Sequence, residues 1–155
     1  CKVPLLIDAD GLNILSEHPE FWADIPPHSI LTPHPGEFDR LFGRCQNGFE
    51  RLEKAREAAQ KHKVNIALKG AFTAIACPDG SCYFNPTGNP GMGTGGSGDV
   101  LSGMITSLLA QGYGPREAAL LGVYLHGLAG DLAAADWQQE ALLASDIVRY
   151  IGKAF

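Results

Sequence analysis

The sequence predicts an α/β fold with a largely parallel central sheet. Continuous apolar runs, which are typical of strands buried on both faces, alternate with segments of helical hydrophobic spacing along the 155 residues. Polar residues that could bind a ligand or take part in a reaction follow these apolar runs, at the end of the sheet where an open parallel sheet binds its ligands. The composition agrees, because 45% hydrophobic and 19% charged residues suit a chain that buries a core.

Five segments predict strands, at residues 3–7, 29–31, 64–68, 72–77 and 81–85. The run at 3–7 is apolar throughout, which favours a strand buried on both faces. The last two segments flank Asp79-Gly80 and therefore predict a hairpin.

Helical spacing predicts helices within residues 11–22, at 37–42 before Gly43, and at 49–62. Apolar residues from Val100 to Leu109 predict a fourth helix that Gly112 ends, and Pro115 opens a fifth that runs to about residue 135. Ser145 is a plausible cap for a last helix through residue 151.

The charge and hydropathy exclude some function classes. The formal net charge is −5 and no run of lysine or arginine occurs, so we expect neither a nucleic-acid nor a membrane partner. The apolar stretches are shorter than the ~20 residues of a membrane span, and we expect a cytoplasmic protein. The chain starts directly in an apolar run, so we expect it to be a fragment of something longer.

The four cysteines, at positions 1, 45, 77 and 82, lack the spacing of a zinc site. Cys77 and Cys82 flank a turn signal, so the sequence leaves open a disulfide between them or two reduced thiols. Reduced thiols are favoured because no feature indicates an oxidising compartment.

Three polar groups follow three predicted strands, and parallel strands bring their carboxyl ends to one rim of the sheet. Each residue also has a structural interpretation as a turn or cap residue. The groups are Asp8, Asp10 and Asn13 after the first strand, Thr32, His34 and Glu37 after the second, and Lys69, Gly70 and Thr73 after the third.

Residues 89–103, the glycine-rich segment, carry the sharpest motif. Glycines allow successive N–H groups to point into one space, and the helix that follows adds first-turn donors and a dipole that favours an anion. This arrangement suits nucleotide phosphates. Gly91, Gly93 and Gly96 fit a dinucleotide-binding spacing, but the strand context fails, and a phosphate-binding loop with Lys-Ser/Thr after its last glycine is excluded.

Asp99 lies just inside the predicted helix that follows these glycines. An ionised carboxylate beside an anion-binding loop can accept the proton of a hydroxyl that attacks phosphorus. Alternatively, Asp99 only satisfies the helix end, Lys69 is a surface lysine, and His34 is structural. His126, within the apolar fifth helix, is interpreted as a packing residue.

The chain resembles the ribokinase-like superfamily and, within it, the NAD(P)H-hydrate dehydratase family. The resemblance is carried by residues 8–13, 31–37, 68–73 and 89–103, and by the tail from Gly112 to Ile147. It implies a three-layer fold and a lyase of metabolite repair that dehydrates (S)-NAD(P)H hydrate. The hydroxyl would be phosphorylated by ADP or ATP with Mg²⁺, and phosphate would then be eliminated.

The resemblance also implies roles for individual residues. Asp99 is the expected catalytic base and contacts substrate with His34, whereas Asp10 and Asn13 are weaker substrate candidates. Glu37 is an indirect candidate for the magnesium site. The expected nucleotide-binding residues are Lys69, Gly70, Ala71, Phe72, Thr73, Gly95, Gly96, Ser97 and Gly98.

The resemblance further implies that residues 1–155 are the C-terminal part of one ribokinase-like NAD(P)H-hydrate dehydratase domain. It also leads us to expect a homo-oligomer and a parent protein fused to an NAD(P)H-hydrate epimerase domain. Two alternatives remain open from the residues. One is a small-molecule kinase that acts on an alcohol such as hydroxyethylthiazole or a sugar, and the other is a non-catalytic nucleotide-binding module.

Overall fold

The computed structural model describes residues 3–155, so Cys1 lies outside the described residues. The chain divides into two compact units, the first ending at Phe84 and the second spanning Asn85–Phe155. The first unit contains the sheet, and the second unit consists of helices and turns.

The sheet of the first unit has five strands in sequence order. β1 pairs with β2 and β2 with β3 in parallel, whereas the β3–β4 and β4–β5 pairs are antiparallel. The α/β class and the terminal hairpin are confirmed, and the sheet of the described residues is mixed. The strands are β1 (Leu6–Ile7), β2 (Ile30–Leu31), β3 (Asn65–Leu68), β4 (Ala74–Ala76) and β5 (Cys82–Phe84).

The expectation that the first strand is buried on both faces is wrong. β1 contains only Leu6–Ile7, both half-buried, and Val3 is 62% exposed. β1 lies at one edge of the described sheet and pairs with β2 alone, so it has a neighbour on one side only. By contrast, every residue of β2 and β3 is buried, because each of these two strands has a neighbouring strand on both sides.

Three helices belong to the first unit: α1 (Asp10–Glu17), α2 (Pro35–Phe42) and α3 (Gly48–His62). The short helix predicted within 11–22 is α1, and a 3-10 turn at Pro19–Asp24 follows it, because a proline lacks the N–H that a continuing helix needs. Gly43 ends α2 as predicted, with φ +90°. Leu12, Phe38 and Ile66 form the core with the alanines of α3.

The β4–β5 hairpin separates the two cysteines that flank its turn. Cys82 pairs with Ala76, and side chains alternate between the faces of a strand, so Cys77 is directed to the opposite face. Cys77 is 1% exposed, whereas Cys82 is half-buried. Cys45, Cys77 and Cys82 form no disulfide with one another in the described residues, and the reduced state that the sequence favours stays a prediction.

The second unit holds α4 (Ser97–Ala110), α5 (Pro115–Trp137) and α6 (Ala144–Ala154). α4 begins three residues before the predicted apolar pattern, because glycine and serine at its start carry no apolar side chain. The prediction that Ser145 caps α6 is wrong. The helix begins at Ala144, and Asp146 performs the capping by accepting a hydrogen bond from Leu143 N at 3.1 Å.

α5 is long and apolar enough, by length and composition alone, to cross a membrane. This corrects the expectation that no apolar stretch reaches that length. Within the protein, 56% of its most apolar stretch is buried, which is also typical of a core helix in a soluble protein.

Candidate functional site

The carboxyl ends of β1, β2 and β3 bring together three of the polar groups that the sequence singles out. Asp8 follows β1, His34 and Glu37 follow β2, and Lys69 follows β3. Because the three strands are parallel neighbours, these residues lie at one rim of the sheet. The predicted constellation is therefore present in the first unit.

Lys69 is the centre of this rim. Its Nζ lies 2.9 Å from Asp8 Oδ1 and 3.8 Å from Glu37 Oε2. The exposed fraction of the side chain is 23% for Lys69, 11% for Asp8 and 8% for Glu37. Lys69 is consequently not a freely solvated surface lysine, since its amine lies close to two largely buried carboxylates.

His34 is the N-cap of α2 and forms a capping box with Glu37. Its Nδ1 accepts hydrogen bonds from Gly36 N at 3.0 Å and Glu37 N at 3.3 Å, and Glu37 Oε2 accepts from His34 N at 2.8 Å. Since Nδ1 is an acceptor, the proton of the neutral ring resides on Nε2. The helix start thus presents His34, half-exposed, as an N–H donor at the rim.

Asp10 and Asn13 lie on the first turn of α1 and contact each other, with Asn13 Nδ2 3.4 Å from Asp10 Oδ1. Ala9, between Asp8 and α1, has φ +46° and ψ −116°, a region that residues with a Cβ rarely adopt. The backbone turns at Ala9, between the two aspartates. The Asp8 side chain faces Lys69, whereas Asp10 is exposed.

Residues 69–73 form the turn between β3 and β4. Gly70, Ala71 and Phe72 are exposed, and Phe72 keeps 71% of its surface in water. Thr73 Oγ1 lies 3.5 Å from Gly70 O. A large aromatic ring in an exposed turn is available to contact a flat ligand, whereas Lys69, at the base of this turn, is held by carboxylates.

Both carboxylate oxygens of Glu37 lie near protein donors, since Oε1 is 3.4 Å from His34 Nε2 and Oε2 contacts His34 N and Lys69. Within residues 3–155, no group of three His, Cys, Asp or Glu side chains is arranged to hold a metal ion. A magnesium ion at this rim would therefore take most of its ligands from phosphate oxygens and water, which is the usual state of Mg²⁺ in nucleotide sites.

The start of α4 in the second unit forms a set of open donors. Gly96 precedes the helix with φ +88°, a left-handed conformation that favours glycine. Ser97 N has one weak partner, Thr94 O at 3.4 Å, and the described residues offer no hydrogen-bond acceptor to the N–H groups of Gly95, Gly96, Gly98 and Asp99. Gly95 and Gly96 are exposed, so an anion can reach these donors.

Asp99 is the third residue of α4 and its side chain is exposed. The helix therefore places one carboxylate within the same turn as the open N–H groups. Such an arrangement can bind an anion and keep a carboxylate close to it, and the roles that the sequence predicts for these residues stay predictions.

Two α5 residues near the glycine-rich segment were missed or given only a packing role in the sequence interpretation. Asp131 accepts hydrogen bonds from Gly88 N and Asn89 Nδ2, and buried His126 Nε2 lies 3.4 Å from Ser97 Oγ. A usable signal existed, because Asp131 is the one charged residue between positions 118 and 135 of an otherwise apolar helix.

Comparison with known proteins gives a consistent result. A sequence model of the NAD(P)H-hydrate dehydratase family matches residues 1–153. The bifunctional NAD(P)H-hydrate repair enzyme of Moorella thermoacetica is 47% identical over 152 residues, which is 97% of this chain and 29% of that protein.

Two solved structures resemble this chain. The ADP/ATP-dependent NAD(P)H-hydrate dehydratase of Bacillus subtilis, co-crystallised with ATP/Mg²⁺ and soaked with CoA, gives a TM-score of 0.86 at 37% identity, over 97% of this chain and 55% of that one. A ribokinase-like superfamily protein of Enterococcus faecalis gives a TM-score of 0.81 at 33% identity, over 97% of this chain and 53% of that one. The predicted ribokinase-like fold is confirmed, and the chain spans about half the length of these structures.

Proposed function

Because this chain belongs to the NAD(P)H-hydrate dehydratase family, we propose that it takes part in the nucleotide-dependent dehydration of (S)-NAD(P)H hydrate to NAD(P)H. One observation carries the proposal: the exposed Asp99 carboxylate shares the first turn of α4 with a set of open N–H donors. The reaction is that of a hydro-lyase in the repair of nicotinamide nucleotides.

The open N–H groups of Gly95, Gly96 and Gly98, with the N–H of Ser97, bind the phosphates of ADP or ATP. Backbone donors at a helix start suit this task, since they carry partial positive charge and do not titrate. The turn at residues 69–73, in the first unit, is a second candidate for nucleotide contact through its exposed backbone and the Phe72 ring. Lys69 supports that turn through its pairing with Asp8.

Asp99 performs the proton transfer. Its carboxylate accepts the proton of the hydrate hydroxyl, and the oxygen forms a bond to the terminal phosphorus while the bond to the nucleotide's leaving oxygen breaks. The C–O bond of the phosphate ester then breaks, phosphate leaves with the electron pair, and the ring loses a proton. With ADP the products are NAD(P)H, AMP and phosphate, so the sum equals dehydration plus hydrolysis of ADP.

His34 orients the hydrate with its Nε2 proton, because Nδ1 is committed to the start of α2. Asp10 and Asn13, on the first turn of α1, offer a carboxylate and an amide to the same substrate. Mg²⁺ bound with the phosphates would neutralise their charge, and Glu37 would act only indirectly, because its Oε2 already contacts His34 N and Lys69.

The test is an assay of NADH absorbance recovered from its (S)-hydrate with ADP and Mg²⁺. We expect Asp99→Asn to lower the rate by about 10²-fold or more, which is typical for the loss of a general base. Glu117→Gln is the matched control, because Glu117 is also a carboxylate in the first turn of a helix of the same unit and should leave the rate unchanged. Equal rates for Asp99→Asn and the wild type would refute the proposal.

A second candidate is a nucleotide-binding part without turnover of its own, and the observation that favours it is that the chain spans 29% of its bifunctional relative. Calorimetry with ADP and AMP separates the two, since this candidate predicts binding with no recovered NADH. A kinase for a small alcohol is recognised by a stable phosphorylated product in mass spectrometry. Fusion to an epimerase domain, homo-oligomeric assembly and a cytoplasmic location stay predictions.

A further inference from the structure

Asp131 of α5 uses both of its carboxylate oxygens at the start of the glycine-rich segment. Oδ2 accepts from Gly88 N at 2.9 Å, and Oδ1 accepts from Asn89 Nδ2 at 2.9 Å. Asn89 in turn accepts from Gly91 N through Oδ1 at 3.1 Å and caps the 3-10 turn Pro90–Gly93. Three consecutive bonds therefore run from one helix side chain into the backbone of the segment.

Close packing holds the same stretch of chain on α5. A Cβ at Gly127 would overlap Thr87, and a Cβ at Gly130 would overlap the Met92 side chain. Thr87 Oγ1 also donates to Tyr124 O at 2.8 Å. The absence of side chains at Gly127 and Gly130 lets this stretch of chain lie against the helix, where Asp131 can reach Gly88 N and Asn89 Nδ2.

The middle of the segment, where α4 begins, contacts the same helix. Ser97, the first residue of α4, is buried, and its Oγ lies 3.4 Å from Nε2 of buried His126. The open N–H groups of Gly95 and Gly96 therefore lie between a contact at Asn89 and a contact at Ser97, and the N–H of Gly98 follows Ser97 directly. Backbone with anchored ends loses less conformational entropy when it binds a ligand.

We propose that Asn89 and Asp131 are a positioning pair, which holds the N–H donors of the glycine-rich segment in place for nucleotide phosphate. Neither residue contacts the reacting atoms in this role. The inference rests on the proposed function, because it assigns a purpose to a segment that binds phosphate.

Because Asn89 donates to Asp131, exchanging the two side chains tests the pair. In Asp131→Asn, an amide N–H₂ faces Gly88 N or Asn89 Nδ2, donor against donor. In Asn89→Asp, two carboxylates face each other. In the double exchange Asn89→Asp with Asp131→Asn, each donor again meets an acceptor, since the new amide donates to the new carboxylate and its oxygen accepts from Gly88 N. The double variant should therefore recover what each single variant loses.

The first measurement needs no nucleotide. Order parameters from ¹⁵N relaxation of Gly95, Gly96 and Gly98 should be close to the rigid value of about 0.85 in the wild type and in the double variant, and should fall toward about 0.6 in each single variant. Asp136→Asn is the matched control, because Asp136 lies on the same helix and accepts from Tyr150 instead. Unchanged order parameters in the single variants would overturn the proposal.

The second measurement is the dissociation constant of ADP by calorimetry. We expect each single variant to bind about tenfold more weakly at a similar melting temperature, and the double variant to recover to within about threefold. Loss of binding that the exchange does not recover would overturn the pairing. A wild-type chain that binds no ADP would refute the proposed function, whereas the order parameters would still decide whether the pair positions the segment.

Discussion

The amine of Lys69 lies 2.9 Å from Oδ1 of Asp8, which joins the ends of β3 and β1 across β2. The two residues are 61 positions apart in the sequence. Their pairing, extended to Glu37, turns a row of strand ends into a connected polar rim.

Replacing Lys69 by methionine should destabilise the protein by about 1–3 kcal/mol, because two largely buried carboxylates lose their cation. Urea unfolding at neutral pH measures this change in the free energy of unfolding. Lys61→Met is the control, since Lys61 is exposed on α3 and should cost at most about 0.5 kcal/mol. A combined Asp8→Asn and Lys69→Met variant should regain part of the loss, and an additive result would contradict the pairing.

Two substitutions of His34 should separate its structural role from its proposed substrate role. His34→Ala removes the cap of α2 and should lower the free energy of unfolding by about 1 kcal/mol. His34→Asn restores an acceptor for the helix start but removes the Nε2 donor, so it should unfold like the wild type while the KM for the hydrate rises. An unchanged KM in His34→Asn would show that the ring does not recognise the substrate.

The free energy of unfolding should depend on pH through Asp39, whose carboxylate accepts two hydrogen bonds of 2.9 Å from Arg51. These hydrogen bonds lower the pKa of Asp39, against a smaller opposing effect of burial. A pKa that is lower in the folded than in the unfolded state stabilises the protein above the ordinary value of about 3.9, and this stabilisation is lost as the pH falls through the folded pKa.

Urea unfolding of the wild type and Asp39→Asn at several pH values between 7 and 3 measures that effect. The difference between the two proteins should be largest at neutral pH and should shrink in the acid range. A difference that is constant with pH would rule out the ionised pair as its source.

The two cysteines of the hairpin should react differently with an alkylating reagent. Burial raises the pKa of the Cys82 thiol, so its alkylation should accelerate steadily as the pH rises, whereas Cys77 at 1% exposure should react only after unfolding. Peptide mapping by mass spectrometry distinguishes the two sites. Recovery of a Cys77–Cys82 disulfide peptide from the native protein under mild oxidation would contradict the strand register.

Phe72→Ala should leave the melting temperature unchanged, because the ring is 71% exposed and packs little. If the ring contacts the base of the nucleotide, ADP binding should weaken by the equivalent of about 1–3 kcal/mol, as for other aromatic–base contacts. Tyr83→Ala on β5 is a suitable control, since Tyr83 is another exposed aromatic residue of the same unit. Equal loss in both variants would argue against a specific contact.

Much of the fold follows from local patterns. The five strands and the hairpin turn were predictable because apolar runs and Asp79-Gly80 act over a few residues, and Pro35, Gly43 and Pro115 lie at helix ends for local steric reasons. Errors arose where neighbours in space decide the outcome. Burial of β1 depends on which strands flank it, and the cap of α6 depends on which side chain reaches Leu143 N.

The sequence by itself determined the order of the elements and the chemical types that follow each strand, together with a glycine-rich segment that ends in Asp99. Only the tertiary structure decided which of these groups meet. Lys69 pairs with Asp8, and Asp131 reaches Asn89 over 42 positions. Such partners depend on strand order and on the rotation of each helix about its axis. Both are fixed by packing between distant segments, which leaves no periodic trace in the sequence.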